Sequence, residues 1–374
     1  MTDRNLPLKA LALGLLALGS GIANAEFGLN LPEPQSPVTR EIYDLHMLTA
    51  GVATVIMIIV TAVIVYALWK FRRSAGYEAD QNFNSSWFGT FGWILVPVVV
   101  LGIDLSIAGS ASKTFDLVED QSEPDMTLKV VGSQWKWTYE YLDDDIRVVS
   151  NLKKLDPEDP LYLRDVDNPV VLPVGKRIRF LHTATDVLHA WWVPAIAYKK
   201  DSIPGYINET WAIIEKEGTY RGQCAENCGT GHGYMPIVVN AVSEDAFRQW
   251  VAEQQAAKAA AAAEASADKT WTLDELMARG EETYNKVCAA CHQVNGQGLP
   301  PAFPGLVGSA IATGDIAAHL EIVLNGKAGT AMQAFGPQLN DLELAAVITY
   351  ERNAWGNDTG DLVQPGDIAA ARGK

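Results

Sequence analysis

Two long apolar stretches, about 48–69 and about 87–108, constrain this chain most. Each is long enough to cross a bilayer, which takes roughly 20 residues as a helix. Backbone that crosses lipid must satisfy its own polar groups, so these stretches read as a transmembrane helical hairpin, within about 38–110. The first ends in Lys70, Arg72 and Arg73, which places that end on the cytoplasmic side, and the second returns the chain outward. Trp69, Trp87 and Trp93 stand where interfacial aromatic belts form. Asp104 lies inside the second stretch, where a charge is costly. It reads either as a contact with a partner subunit or as a residue near the outer interface. At the beginning, Arg4 and Lys9 precede an apolar run at 10–18, and Ala23-Asn24-Ala25 offers a cleavage site. Residues 1–25 therefore read as a signal peptide, with an uncleaved anchor as the alternative. Either way the chain from Glu26 starts outside the cytoplasm.

The 374 residues carry a formal net charge of −16, which argues against a nucleic-acid partner and permits docking of a basic protein. From about 112 to 250 the character changes. Short β-rich runs recur, such as Leu128–Val131, Trp135–Tyr139, Arg177–Leu181 and Ile237–Val242, punctuated by Pro173-Val174-Gly175 and Pro204-Gly205. This spacing predicts a β-sandwich or barrel. An Ala-rich run at 251–269 reads as a helical spacer that extends a helix beginning near Glu244. The remainder, 270–374, reads as helical. One helix precedes the last pair of cysteines and another covers about Asp341–Asn353, where Leu342, Leu344, Ala345, Ile348 and Thr349 recur near helical spacing.

All four cysteines fall in metal or cofactor patterns. Cys224 and Cys228 are followed by His232 and Met235. Thiolate, imidazole and thioether together select copper over magnesium or calcium. His189 is the best candidate for a second imidazole. Two bridging thiolates and two histidines can hold two coppers, whereas a mononuclear blue-copper site needs only one cysteine. Zinc fits the methionine poorly, and a Cys224–Cys228 disulfide is the structural alternative. His182 reads as a packed core histidine, and His46 carries no motif. Cys288-Ala289-Ala290-Cys291-His292 is a c-type haem attachment pattern: the cysteines add to the haem vinyl groups and His292 is placed to ligate iron. Met332 is the one methionine after that pattern and the candidate sixth ligand, with His319 as the alternative. A Met/His pair raises the potential.

The Cys-x3-Cys-x3-His-x2-Met run, the upstream Asp186-Val187-Leu188-His189-Ala190-Trp191-Trp192-Val193-Pro194 and the aromatic stretch Gly132–Tyr141 resemble subunit II of haem–copper cytochrome c oxidases over about 38–250. The resemblance implies a cupredoxin-like β-barrel with a dinuclear copper (CuA) centre. It implies His189, Cys224, Cys228, His232 and Met235 as side-chain ligands and Glu226 as a ligand through its backbone carbonyl. The Glu226 carboxylate would reach a magnesium ion at the boundary with subunit I, and Trp135 would be the residue where electrons enter. One position departs: many relatives carry a glutamate where Thr90 stands, so the proton-uptake role of that residue is not carried over. Leu299–Leu306 and Tyr350–Gly356 resemble the proline-rich loop and closing helix of class I cytochromes c, over about 271–357.

The whole chain thus resembles the subunit II–cytochrome c fusion of a caa3-type oxidase. That implies a multi-pass protein of the bacterial inner membrane with its copper and haem domains on the periplasmic side. Subunits I and III and a reduced carrier such as a soluble cytochrome c are the implied partners. Electrons would pass through haem c and the copper pair to the oxygen-reducing site of subunit I, with proton translocation by the complex. A nitrous-oxide-type reductase would need far more than the six histidines present. A quinol oxidase subunit would not need the intact copper ligands, and a copper chaperone would not need the haem domain.

Overall fold

A computed structural model describes residues 30–78, 81–82, 85–266, 269–301 and 303–373. The expected signal peptide and its cleavage site lie outside the described residues. Two long helices come first. α1 (Pro37–Lys70) opens on a capping box made by Ser36 and Thr39, with Pro37 at the first helical position. α2 (Trp87–Val118) opens on Ser86 and contains Pro97. No residue of their apolar windows is buried, and Leu68, Trp87 and Trp93 are exposed. A soluble surface does not carry so large an apolar area; the two helices are of membrane-crossing length and composition. Both run past the apolar cores read from sequence; α1 begins, and α2 ends, against the β domain. There Tyr198 Oη donates to Val118 O (3.2 Å), Trp211 Nε1 donates to Leu117 O (3.1 Å), and the Thr39 hydroxyl donates to Ala195 O (3.0 Å).

Two five-stranded sheets follow among the described residues. One has the order β3 (Ile146–Ser150), β2 (Lys136–Tyr141), β1 (Met126–Ser133), β5 (Arg177–Ala184), β8 (Asn208–Ile213). The other runs β4 (Val170–Pro173), β10 (Pro236–Val242), β9 (Gly218–Cys224), β6 (His189–Trp192), β7 (Lys200–Ser202). The β1/β5 and β4/β10 pairs are parallel and the remaining pairs antiparallel. Strict alternation along β5 turns Ile178, Phe180, His182 and Ala184 inward. Ile178 and Phe180 meet Leu128, Val130, Trp137, Trp191 and Ile237 in one core, and His182 lies against Trp191. This is a cupredoxin-like sandwich, as expected.

α3 (Glu244–Ser266) leaves the sandwich as one continuous helix. Phe247 and Val251 anchor its first turns in the core, and Trp250 packs on Tyr141 (4.9 Å between ring centres). Lys258 binds Asp145 in the β2–β3 turn (2.5 Å). The cytochrome-like domain contains α4 (Leu273–Val287), the single turn α5 (Ala289–His292), α6 (Ile316–Asn325), α7 (Asp341–Asn353) and α8 (Pro365–Arg372). α4 and α7 cross so closely at Gly280 that a Cβ there would lie 2.2 Å from Ala346 O. Tyr284, Leu344, Val347, Ile348 and Val363 form the core around that crossing.

Candidate metal centre and haem-attachment site

The end of β9, the start of β6 and the loop between β9 and β10 bring all the candidate copper ligands to one end of the sandwich. Cys224 Sγ lies 3.9 Å from Cys228 Sγ and 4.0 Å from His189 Nδ1. Cys228 Sγ lies 3.6 Å from His232 Nδ1 and 3.5 Å from Met235 Sδ. The Glu226 carbonyl oxygen stands 3.4 Å from Cys224 Sγ. Both thiols are free, so the expected alternative of a disulfide is not formed. Sulfurs 3.9 Å apart are closer than twice a metal–thiolate bond of about 2.3 Å, so an ion between them can bind both. Soft sulfur and imidazole donors, all buried or half-buried, fit copper.

Electrostatics prepare these donors. His189 is fully buried, and its Nε2–H donates to Asp186 Oδ1 (2.9 Å), leaving Nδ1 free to face Cys224. A carboxylate behind a ligating imidazole fixes ring and tautomer in this way. Burial disfavours the charged ring, but the hydrogen bonds to Asp186 and Cys224 outweigh it and hold the His189 pKa above the usual histidine value. The hydrogen bond from Cys228 holds the Cys224 thiol far below the usual range, so Cys224 carries the negative charge of the pair. His182 is the contrast. It is buried between Phe180 and Trp191, its Nε2 bonds Thr210 (2.8 Å), and burial lowers its pKa to about 3. It is the core histidine that was expected.

In the helical domain, Cys288, Cys291 and His292 sit on and beside α5. His292 Nδ1–H donates to Pro304 O (2.8 Å), which leaves Nε2 available to a metal. Burial pushes the Cys291 thiol up to about 11 and Cys288 well above its usual range, so both are neutral. Met332 packs against the same helical core from a separate loop, held back by Lys327 N–H donating to Met332 O (3.0 Å). His319 is buried on α6, where its Nε2 bonds Glu351 (2.9 Å). A cysteine pair in CxxCH with a histidine oriented by a carbonyl fits a haem.

The two sites face each other. Trp135 Nε1–H donates to Cys228 O (3.1 Å), and Gln134 Nε2 donates to the same oxygen (2.9 Å). The Trp135 ring meets Phe303 of the helical domain edge-on (5.7 Å between centres). Cys291 Sγ lies 3.8 Å from Gln134 O, and Gln333, beside Met332, reaches Asp186 (3.5 Å). Lys136 is buried with its ammonium 5.3 Å from the Phe335 ring centre. Burial lowers its pKa. Next to this seam a cavity of about 380 Å³ is lined by Lys129, Arg147, Asp186, Met332 and Gln338. The Glu226 carboxylate points to the surface, 3.8 Å from Lys199. Sequence reading did not single out Gln134, Lys136, Asp186, Phe303 or Gln333 as functional. Only Asp186 carried a usable signal, a carboxylate three residues before a candidate ligand histidine.

Three family models match. Residues 24–108 match the transmembrane domain of cytochrome c oxidase subunit II and residues 126–242 its periplasmic domain. Residues 275–350 match cytochrome c oxidase, cbb3-type, subunit III. A probable cytochrome c oxidase subunit 2 of Rickettsia bellii is 37% identical over 225 residues, covering 59% of this chain and 82% of that protein. Cytochrome c oxidase subunit 2 of Cyanidium caldarium is 34% identical over 231 residues, covering 60% of this chain and 89% of that protein. The crystal structure of the periplasmic domain of subunit II of cytochrome oxidase of Bradyrhizobium japonicum is 40% identical, covering 36% of this chain and 95% of that one, with a TM-score of 0.33. With thiol, imidazole and thioether groups gathered at one end of its sandwich, and at least 30% identity across most of such relatives, this chain belongs to the cytochrome c oxidase subunit 2 family.

Proposed function

We propose that this chain is the electron-delivering subunit II of a caa3-type oxidase, carrying a dinuclear CuA centre and one covalent haem c. Family membership makes it part of a haem–copper oxidase complex in membrane electron transport, with copper and haem as cofactors. When bound, the haem and the copper pair supply one-electron carriers between a reduced donor and the oxygen-reducing site of subunit I. His189, Cys224, Cys228, His232, Met235 and the Glu226 carbonyl hold the coppers. Cys288 and Cys291 bind the haem covalently, with His292 and Met332 as its axial ligands. Asp186 keeps His189 oriented, and Cys288 and Cys291 supply the two sulfurs that add to the haem vinyl groups. Trp135 is the residue where electrons enter the copper domain. The surface-facing Glu226 carboxylate reaches a magnesium ion at the subunit I boundary. Subunit III and a reduced soluble cytochrome c complete the partners. The chain crosses the bacterial inner membrane twice after loss of its signal peptide, with the copper and haem domains in the periplasm.

The observation that carries this reading is the convergence of two thiols, two imidazoles, a thioether and a carbonyl within 4.0 Å contacts at one loop cluster. Metal analysis with electron paramagnetic resonance on the full chain tests it. The expected result is two coppers and one covalent haem, with hyperfine structure from one electron shared by both coppers, lost in Cys224→Ser while the haem stays attached. One copper with localised hyperfine structure would overturn the dinuclear assignment.

A further inference from the structure

The loop that holds His292 also makes the ring contact with the copper domain. Pro304 O accepts from His292 Nδ1 (2.8 Å), and Phe303, one residue earlier, meets Trp135 at 5.7 Å with the ring planes 80° apart. On its far side Trp135 donates to Cys228 O (3.1 Å). The Trp135 ring lies flush on the copper loop: a Cβ on Gly231 would fall 2.2 Å from it. A continuous route therefore runs from His292 through Pro304, Phe303 and Trp135 to Cys228. Its links are a hydrogen bond, a covalent segment, one ring contact and a second hydrogen bond. The ring contact is the one step along it made through space, with neither a covalent nor a hydrogen bond. Electronic coupling decays far more steeply across a gap than through packed or bonded atoms, so this step limits the coupling along the route.

Phe303 is held for that position. Its N–H and C=O pair with the C=O and N–H of Leu299 (3.0 and 2.8 Å). Gly298, at φ +67°, closes the loop where a Cβ would lie 2.5 Å from both Phe303 O and Pro304 O. A side chain at that φ is itself strained. Both ends of the short loop are thus fixed, one by the haem-ligating histidine and the other by the ring facing Trp135.

We propose that Phe303 is the haem-domain half of the junction through which an electron crosses to the copper domain. Its ring couples the His292 side to Trp135. The inference deepens the electron-delivery reading above and rests on it. One electron leaves the reduced haem iron and arrives at the copper pair; no bond is made or broken, no proton moves, and neither ring changes oxidation state. Phe303 is a positioning and coupling residue and binds no substrate.

The test uses the full chain loaded with haem and copper. The haem is reduced by a flash-activated ruthenium donor, and its reoxidation by copper is followed in single turnovers. Phe303→Leu keeps an apolar side chain and removes the ring. The expected result is transfer slowed by an order of magnitude or more, with haem content, copper hyperfine structure and both midpoint potentials unchanged. Phe303→Tyr restores the parental rate. Trp135→Leu slows transfer similarly, and the double variant slows it no more than the stronger single one, because both act through one contact. In the chain without haem or copper, the isotope-labelled Trp135 indole N–H resonance shifts in Phe303→Leu, since the neighbouring ring is gone. Parental transfer in a fully loaded Phe303→Leu, or additive effects in the double variant, would overturn the proposal. If Phe303→Leu fails to load haem, Trp135→Leu decides: a parental rate there overturns the route. Absence of haem-to-copper transfer in the parent chain would instead sink the electron-delivery reading itself.

Discussion

Two fully buried histidines in the same sandwich have opposite fates, and the difference is one carboxylate. His182 faces a hydroxyl and aromatic rings, so it stays neutral and serves packing. His189 backs onto Asp186, which also accepts from the backbone N–H of Gln134 and Val187 (both 2.7 Å). Asp186 therefore ties together the β1–β2 turn bearing Trp135, the turn before β6 and the His189 ring. Asp186→Asn keeps the shape but weakens the acceptor and allows the His189 ring to lose its tautomer. Copper affinity should fall by about 10–100-fold, the range for outer-sphere partners of metal ligands. Competition with a chelator of known affinity measures this; unchanged affinity would show that the backbone N–H bonds alone orient the turn. The gathered thiol, imidazole and thioether groups were legible in the sequence because four of them fall within 224–235 and carry distinctive chemistry; His189, further off, was read from its own short motif. Asp186 was visible but unassigned. Phe303 lies in the Leu299–Leu306 loop that was read from sequence, but its contact was not legible, since its partner Trp135 is in another domain.

At the level of elements, helices were easier to read than strands. The helix over Asp341–Asn353 and the extension of α3 through the Ala-rich run were both anticipated, the first from near-helical apolar spacing and the second from Ala-rich composition. Asn340 and Glu343 form a capping box at the first of these. Short strands such as β7, three residues long, have too little sequence for any period to register. They exist because neighbouring strands supply their hydrogen bonds. The α4–α7 crossing depends on Gly280, where an added methyl would meet Ala346 O at 2.2 Å and Tyr350 Cβ at 2.5 Å. Gly280→Ala forces the helices apart and should destabilise the helical domain by about 1–3 kcal/mol, the usual scale of overpacking. Urea titration followed at the haem Soret band reads that loss. A midpoint equal to the parent's would mean that the crossing adjusts without strain.

For the molecule as a whole, the seam between the domains is made of rings, amides and hydrogen bonds to amide groups more than of ion pairs. Trp135 meets Phe303, and Arg147 donates to Gln338 O and Oε1 (both 3.3 Å). Electron transfer across it should therefore change little between low and high salt. Reduction of the chain by a separate basic carrier should slow as salt rises, because a net charge of −16 attracts that carrier through a field that ions screen over about 10 Å at 0.1 M. Stopped-flow and flash measurements at several ionic strengths separate the two steps. An equally strong salt dependence in both would mean that the domains part and re-dock during each turnover.

The connecting helix has a consequence of its own. α3 spans 23 residues, about 34 Å if straight. It is rooted in the sandwich core by Phe247 and Val251 and pinned to the β2–β3 turn by Lys258. A docking domain on such a spar never dilutes away. Its effective concentration at the copper face is set by helix length and stiffness rather than by expression level. A free protein competing for that face faces an opponent already in place, so the fusion turns an encounter governed by supply into one governed by geometry.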